Sequence, residues 1–362
     1  YYGEDNRPFA EVGPGPVEFG YPKRTHFFQP NLDKILVDGL NRYRQANVFF
    51  GHKLIGFSET DTSIKVEVFT HNKKSHDVFC KFLIGADGAR SDVRQKLGIK
   101  MIGETYPEDW VIVDTKNDPD QEPVSKFYCR RDRPYVSIPA PDAGRRYEYR
   151  VQQEDGHQKL LDFDNIRERL SSIRSIRPKD IIRSTIYTFE AKIAERWRCG
   201  RTLLAGDAAH LTPPFAGQGL NNGLRDVHNL AWKLSLVLKE EASEKLLDSY
   251  ELERREPTRA MIDLAIAMGD IVMPQAEEDI EFRKKLVQWL DRFPAARDYI
   301  VSMKFKPHPR YKDGAFLDLD SQKFSGSLVG QMLPQVILEK LDSKVSRCLL
   351  YTSDAADELS CV

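Results

Sequence analysis

The apolar residues of this chain follow helical spacing in some segments and strand alternation in others. Over 31–45 they recur three or four positions apart, which is the spacing of one helix face, and Asn31 stands ahead of them as an N-cap. The pattern therefore predicts a helix at 31–45. Its apolar stripe consists of Leu32, Ile35, Leu36 and Leu40.

Alternation of apolar and polar residues predicts strands in the next part of the chain. The segments 49–57 and 64–70 alternate and are expected to form a small hairpin sheet. The segment 78–84 becomes wholly apolar before Gly85, which is typical of a buried parallel strand. Short runs rich in β-branched and aromatic residues then predict a mostly antiparallel sheet with one helix at 164–173. These runs lie at 110–113, 135–138, 147–151 and 181–189.

Helical spacing returns in the last third of the chain. A short apolar strand at 202–205 leads through a Gly- and Pro-rich loop into a long helix. A second helix is predicted over 245–275, with Pro257 marking a break or kink. A third, at 280–290, is followed by an irregular segment to about residue 341. The long helix has apolar positions at Leu220, Leu224, Val227, Leu230, Ala231, Leu234, Val237 and Leu238.

Composition and charge exclude several classes of protein. Of the 362 residues, 54 are Lys or Arg and 55 are Asp or Glu, so the net charge of −1 offers no general attraction to nucleic acid or to an anionic membrane. No stretch of about 18 apolar residues predicts a transmembrane helix, and no secretory signal peptide is visible. The five cysteines are scattered and form no CxxC, which argues against a disulfide framework or a zinc ribbon and predicts a cytoplasmic protein.

The run GADGARS at 85–91 directly follows the predicted buried strand. It places Asp87 at the carboxyl end of a parallel strand, where α/β sheets bind ligands and where a carboxylate can accept hydrogen bonds from ribose or ribityl hydroxyls. Ser91 can cap a helix at 92–97, with Gly98 just beyond its end. Taken alone, the run is also compatible with an ordinary Asp-Gly turn.

The stretch at 200–223 repeats this arrangement of strand, Gly-Asp, loop and helix. Gly206 and Asp207 end the strand, so Asp207 also presents a carboxylate where a polyol could bind. Pro213 and Pro214 stiffen the loop that follows. We therefore predict that Asp207 contacts the same kind of ligand as Asp87.

The loop before the long helix contains glycines that allow the backbone to approach the edge of a flat ligand. These are Gly217 and Gly219. The free N–H groups of Leu220 and Asn221 at the helix start form a positive pocket, which suits the negative N1/O2 edge of a reduced flavin. Together with Gly223, the glycines do not match the dinucleotide pattern G-x-G-x-x-G, and no such fingerprint occurs in the chain.

Two other residues carry weaker signals. Gln29 stands just before the predicted helix, and its amide can both donate to and accept from a ligand. His210 follows Asp207 by three residues, but no other His or Cys lies nearby at ligand spacing, so a hydrogen-bonding loop histidine is favoured over a metal site. No G-x-S-x-G elbow supports a serine hydrolase.

Three motifs, in this order, resemble those of the class A flavin aromatic hydroxylases, the family related to p-hydroxybenzoate hydroxylase. They are the DG run at 85–91, the GDAAH run at 206–210 and the GQGLN loop at 217–221. The resemblance extends from about residue 24 to 341. The segment 260–274 is similar to the subgroup of 3-(3-hydroxyphenyl)propionate hydroxylases.

The resemblance implies an α/β (α+β) fold: a Rossmann-like FAD-binding domain of the glutathione-reductase type, an inserted, mostly antiparallel substrate sheet, and C-terminal helices. The family's N-terminal βαβ unit, which cradles the FAD pyrophosphate, has no counterpart in this sequence, so we expect a fragment. The last residues resemble a translated sequencing adapter and are expected to be a non-native tail. The expected division is 1–102 (remainder of the FAD domain), 103–189 (substrate sheet), 190–259 (return of the FAD domain), 260–347 (C-terminal helices) and 348–362 (tail).

The resemblance also implies roles for individual residues of the motifs. Most of them would contact FAD, and one would serve the nicotinamide nucleotide as well. The implied assignments are Asp207, next to Gly206, for the ribityl hydroxyl; Pro214, Gly217, Gly219, Leu220 and Asn221 for the isoalloxazine ring; Gln29 for the FAD linker; and Asp87 for both nucleotides.

The implied reaction is hydroxylation of a small phenolic compound. NADPH or NADH would reduce FAD, O2 would add at flavin C4a, and the hydroperoxide would transfer oxygen to the aromatic ring. No side chain is identified as a catalytic base, and a homodimer is compatible with the family. Two alternatives stay open: another flavoprotein of the same fold, such as a polyketide hydroxylase, reductase or halogenase, and a non-catalytic nucleotide-binding fragment.

Overall fold

The computed structural model describes residues 1–13, 25–152, 155, 159–274, 276–307, 310–315, 330, 337–339 and 345–347; the predicted tail at 348–362 and the predicted helix end at residue 275 lie outside them. The strands are β1 (His52–Glu59), β2 (Ile64–Thr70), β3 (Ser75–Cys80), β4 (Leu83–Gly85), β5 (Met101–Thr115), β6 (Lys126–Tyr128), β7 (Tyr135–Ala140), β8 (Gly144–Arg150), β9 (Ile181–Ala194), β10 (Arg198–Cys199), β11 (Thr202–Leu204), β12 (His210–Leu211), β13 (Ile337–Glu339) and β14 (Val345–Arg347). The helices are α1 (Gln29–Leu40), α2 (Asp92–Lys96), α3 (Phe163–Leu170), α4 (Gly219–Leu238), α5 (Asp248–Val272), α6 (Glu277–Leu290) and α7 (Pro294–Val301).

The first helix begins earlier and ends earlier than predicted. Phe28 has extended backbone angles and is the N-cap, so the prediction of Asn31 as N-cap is wrong. Pro30 lies in the first turn, where its fixed φ suits the helix and its missing N–H is not needed. This start signal precedes Asn31 and displaces the cap.

The predicted strand at 78–84 is in fact parts of two strands in different sheets. β3 pairs antiparallel with β2, whereas β4 pairs in parallel with β11. The prediction of one strand is therefore wrong, because an apolar run does not reveal which partner each half will find. The strand at 64–70 is confirmed, and the one predicted at 49–57 begins at His52.

A six-stranded antiparallel sheet contains all four of the β-rich runs that predicted it. Its strand order is β12-β9-β5-β8-β7-β6, and the long strands β5 and β9 form its centre. One face is covered by α3, where Val113, Tyr147 and Ile166 are buried together. On the other face Trp110 and Phe189 are buried in one cluster with Met268 and Val272 of α5. The sheet is thus a layer between α3 and α5.

Helix α5 runs without interruption from Asp248 to Val272 and contains Pro257, so the predicted break is absent. A proline removes one helical hydrogen bond, but both halves of α5 are anchored in the same core, through Tyr250 and Ile262. The segment after α6 was expected to be irregular up to about residue 341, yet α7 forms there. Pro294 occupies its first turn and is a helix-start signal of the same kind as in α1.

The face that α4 buries carries more polar than apolar residues, and of the predicted apolar stripe only Leu230 and Val237 are fully buried in the core. The apolar residues Leu220, Leu224 and Val227 are more than 40% exposed. Beside Leu230 and Val237, four polar side chains are buried and form an i, i+4, i+7, i+11 row directed at α5: Asn222, Asp226, Asn229 and Lys233. Within the described part of the chain, no helix is long and apolar enough to cross a membrane.

Candidate functional site

The ends of two adjacent parallel strands bring the two Gly-Asp motifs to one edge. β4 and β11 pair with Gly85 opposite Leu204, and the amide of Ala205 donates to the carbonyl of Gly85 over 3.0 Å. Asp87 follows β4, and Asp207 follows β11. A Cβ on Gly85 would lie 2.9 Å from the side chain of Leu204, so glycine is needed there for strand packing.

The carboxylate of Asp87 stabilises the start of α2 through two hydrogen bonds. Its Oδ1 accepts from the Ser91 hydroxyl at 2.5 Å, and its Oδ2 accepts from the Val93 amide at 3.1 Å. Ser91 in turn accepts from the Arg94 amide, which confirms Ser91 as N-cap. Asp87 therefore has a structural task in the loop, besides the ligand contact that the motif implies.

Arg94 joins the two Gly-Asp loops through its buried guanidinium. It donates to the carbonyl of Ala89 in the first loop, at 2.8 Å, and to the carbonyl of Ala208 in the second, at 2.9 Å. Burial lowers the pKa of this arginine, and Asp87 and Glu190 partly oppose the shift. No local pattern in the sequence marks Arg94 as a residue of this site.

Asp207 lies in a short turn with a free carboxylate. Among the described residues no hydrogen bond to this carboxylate is found, and desolvation raises its pKa, partly opposed by His210. Gly206 has a left-handed φ of 60°, and Gly223 of α4 approaches it so closely that a Cβ on Gly223 would lie 3.5 Å from the Gly206 Cα. The turn thus exposes a carboxylate while its backbone rests on α4.

A buried carboxylate that the sequence analysis missed lies beneath this turn. Asp226 of α4 accepts from the Gly206 amide at 3.1 Å and from Arg254 Nε at 3.0 Å, and His210 Nε2 lies 2.5 Å from its Oδ2. His210 is therefore a hydrogen-bonding residue, as predicted, but it lies on β12 and not in a loop. The described residues contain no cluster of ligands for a metal. The polar row on α4 was the signal that could have found Asp226.

The loop before α4 is anchored by Phe215. Its ring lies edge-on to those of Phe189 and Trp110, with centroid distances of 5.3 Å and 6.1 Å, between the six-stranded sheet and α5. Pro214 is exposed at the start of the same short turn, and Gly217 ends it with a left-handed φ of 60°. The aromatic anchor fixes this loop against the face of the sheet.

Open space lies beside the glycines of the loop. A Cβ added to Gly217 or Gly219 would meet no atom within 4 Å. Because α4 begins at Gly219, the amides of Leu220 and Asn221 have no acceptor within the helix. The loop therefore combines free N–H groups with open space that can take a flat group carrying negative charge.

Gln29 is exposed in the first turn of α1. No hydrogen bond between described residues connects it with the loops at 85–91 or 206–221. The structure thus brings the two Gly-Asp motifs together and sets the second of them against Gly223 of α4, while the role of Gln29 stays a prediction.

Residues 4–265 match the model of the FAD binding domain family. The chain belongs to this family. Its resemblance to flavin hydroxylases is confirmed by relatives: it is 38% identical over 339 residues to a 3-(3-hydroxy-phenyl)propionate/3-hydroxycinnamic acid hydroxylase of Escherichia coli (strain SMS-3-5 / SECEC). The match includes 93% of this chain and 61% of the relative, so this chain spans less than two thirds of that protein.

Solved structures share the fold. The crystal structure of p-nitrophenol 4-monooxygenase PnpA from Pseudomonas putida DLL-E4 has a TM-score of 0.68 at 23% identity, over 77% of this chain and 72% of that one. A complex of aklavinone-11 hydroxylase with FAD and aklavinone has a TM-score of 0.61 at 28% identity, over 68% and 48% of the two chains. The predicted combination of an FAD-binding fold, an antiparallel sheet and C-terminal helices is confirmed.

Proposed function

We propose that this chain is part of an FAD-dependent monooxygenase that hydroxylates a phenolic compound, with NADPH or NADH and O2 as co-substrates. The observation that carries the proposal is the free carboxylate of Asp207, in a turn that packs against Gly223 of α4, together with the free amides and the open space at the start of the same helix. The name of the Escherichia coli relative supports a phenol that carries a carboxylate side chain.

The chemistry of these residues fits a flavin. The Asp207 carboxylate can accept from a ribityl hydroxyl, and the amides of Leu220 and Asn221 can donate to the electron-rich edge of the isoalloxazine ring. Pro214 and Gly217 would border that ring, and Gln29 and Asp87 would contact the remaining parts of the cofactor. When bound, FAD supplies electron transfer from the nicotinamide and activation of O2.

The six-stranded antiparallel sheet supplies the rest of the proposed active site. We propose that 103–189 form the substrate domain, inserted between parts of the FAD domain at 1–102 and 190–259 and followed by helices at 260–347. Phe215 holds the loop before α4 at a fixed distance from the sheet. A phenol bound on the sheet would therefore keep one orientation toward the flavin. The aromatic side chains there exclude water from the reacting atoms.

The test of the activity is NAD(P)H oxidation by the FAD-loaded chain with and without 3-(3-hydroxyphenyl)propionate. We expect the phenol to stimulate oxidation and to gain one oxygen atom, detected by mass spectrometry. Benzoate, which lacks the phenolic hydroxyl, is the control and should stimulate little. If FAD binds but every phenol in a panel leaves the oxidation rate unchanged, the result favours another reaction catalysed by the same fold. If FAD does not bind, the result favours a non-catalytic chain.

The affinity for FAD should depend on pH through Asp207. Desolvation raises the pKa of this carboxyl, so it takes up a proton at a higher pH than an ordinary aspartate. Protonation removes the charge that strengthens the acceptor, so we expect FAD affinity to be full above this raised pKa and to fall about three- to tenfold as the pH drops through it. In Asp207→Asn the affinity for FAD should be lower and nearly independent of pH. If this variant still lost FAD affinity at acid pH to the same extent, Asp207 would not be the group responsible.

Location and assembly are part of the proposal. We propose a cytoplasmic protein, because the described cysteines Cys80, Cys129 and Cys199 are free thiols, as is usual in a reducing compartment. Burial raises the pKa of Cys129 to about 11, so this thiol stays protonated and unreactive. A homodimer is the expected assembly of such a hydroxylase and is tested by sedimentation of the purified chain.

A further inference from the structure

The Asp226 carboxylate is completely buried, and its hydrogen-bond partners among the described residues include neither the Asp207 carboxylate nor the amides of Leu220 and Asn221. It accepts from three donors on three different segments: the Gly206 amide in the turn, His210 Nε2 on β12, and Arg254 Nε on α5. Since Asp226 itself belongs to α4, one side chain connects four parts of the FAD binding domain.

Three donors around one buried carboxylate leave it little freedom. A buried charge is tolerated only when it is paired and hydrogen-bonded, and here Arg254 supplies the opposite charge while Gly206 and His210 complete the shell. The His210 ring is itself held, because it is fully buried with its centroid 5.2 Å from that of Trp197. The position of the Gly206 amide is therefore set by a rigid group.

The Asp207 carboxylate depends on this backbone for its direction. It has no hydrogen-bond partner among the described residues, so only the course of the turn determines where it points. Side chains hold that turn at two places: Asp226 accepts from the amide of Gly206, and Arg94 donates to the carbonyl of Ala208. Of these, Asp226 binds the residue directly before Asp207.

We propose that Asp226 is a positioning residue that fixes the turn at 206–208 and thereby the direction of the Asp207 carboxylate. The part of this inference that concerns FAD rests on the proposed function; the part that concerns the turn does not. The competing explanation is that Asp226 only joins α4 to α5 and affects the whole domain equally.

The chain contains a matched control for that explanation. Glu253 of α5 is also a buried carboxylate, and its Oε2 lies 2.7 Å from the Lys233 ammonium of α4 and accepts from Asn229. This pair joins the same two helices but contacts no residue of the turn. Glu253→Gln should therefore reproduce a loss of helix–helix attachment without the loss of positioning.

The first measurement is amide hydrogen exchange of the chain without added ligand, in Asp226→Asn and Glu253→Gln. Asparagine keeps the shape of aspartate but cannot neutralise Arg254 or accept from all three donors. We expect exchange at 205–210 to rise at least about tenfold in Asp226→Asn relative to β5 and β9, and to rise no more than β5 and β9 do in Glu253→Gln. Equal, chain-wide loosening in both variants would overturn the proposal.

A less disruptive variant keeps the test decisive if Asp226→Asn does not fold. His210→Phe preserves the ring against Trp197 and removes one donor to Asp226. We expect a smaller rise in exchange, confined to the same residues. An unchanged exchange pattern at 205–210 in this folded variant would count against Asp226 as the group that holds the turn.

The second measurement is FAD affinity, followed by quenching of flavin fluorescence. We expect Asp226→Asn to weaken binding about tenfold, and to add almost nothing to the effect of Asp207→Ala in the double variant, because both act through one carboxylate. Fully additive effects would contradict the positioning role. If the unaltered chain fails to bind FAD, the proposed function fails, while the exchange result still decides the positioning of the turn.

Discussion

Replacing Trp197 with alanine is expected to lower the free energy of unfolding by about 3–5 kcal/mol, the usual cost of removing a large aromatic side chain from a core. Trp197 is fully buried, and its ring centroid lies 5.2 Å from that of His210 and 5.6 Å from that of Tyr250. The Tyr250 hydroxyl donates to the Leu204 carbonyl at the end of β11. The cavity would thus open directly under the strand that carries the Gly206–Asp207 turn.

The measurement is equilibrium unfolding in urea, with Trp289→Ala as the matched control. Trp289 is 55% exposed on α6, so the same substitution should cost less than about 1 kcal/mol there. If the two variants lost equal free energy of unfolding, the contacts of Trp197 with His210 and Tyr250 would not stabilise the fold more than an exposed tryptophan does.

Replacing Gly269 with alanine should displace the loop before α4, because the new side chain would meet Phe215 of that loop. A Cβ at this position of α5 would lie 2.8 Å from a ring carbon of Phe215, closer than real Cβ atoms approach. Phe215 has little room to retreat, because Phe189 and Trp110 border its ring. We expect an overpacking cost of about 1–3 kcal/mol in unfolding free energy and weaker FAD binding, since the loop that ends at Gly217 must shift.

A second-site change separates this explanation from a general effect on α5. Phe215→Leu removes the ring atoms that clash, so adding Gly269→Ala to Phe215→Leu should cost much less than adding it to the unaltered chain. Gly39→Ala in α1 is the neutral control, because its Cβ would approach only the flexible end of Arg42. Equal costs of Gly269→Ala in both backgrounds would show that Phe215 is not the obstacle.

Local signals in the sequence were sufficient for most elements and for the motif residues. Ser91 and Gly98 marked both ends of α2, and the structure has them there as cap and as left-handed residue. The glycine loop and the start of α4 were also predicted in place. These features depend on backbone angles and caps within a few residues, which is why a sequence read by itself reveals them.

The sequence by itself thus determined all the described helices except α7, most strands and the order of the motifs, because each follows from periodicity or from a short local pattern. Tertiary structure decided the rest: the division of 78–84 between two sheets, the continuity of α5 through Pro257, and the buried polar row of α4. It also brought Asp226 under the Gly206–Asp207 turn from a helix that begins after the loop. Contacts of this kind join residues far apart in the chain, and their free energy comes from burial and pairing that no local pattern contains.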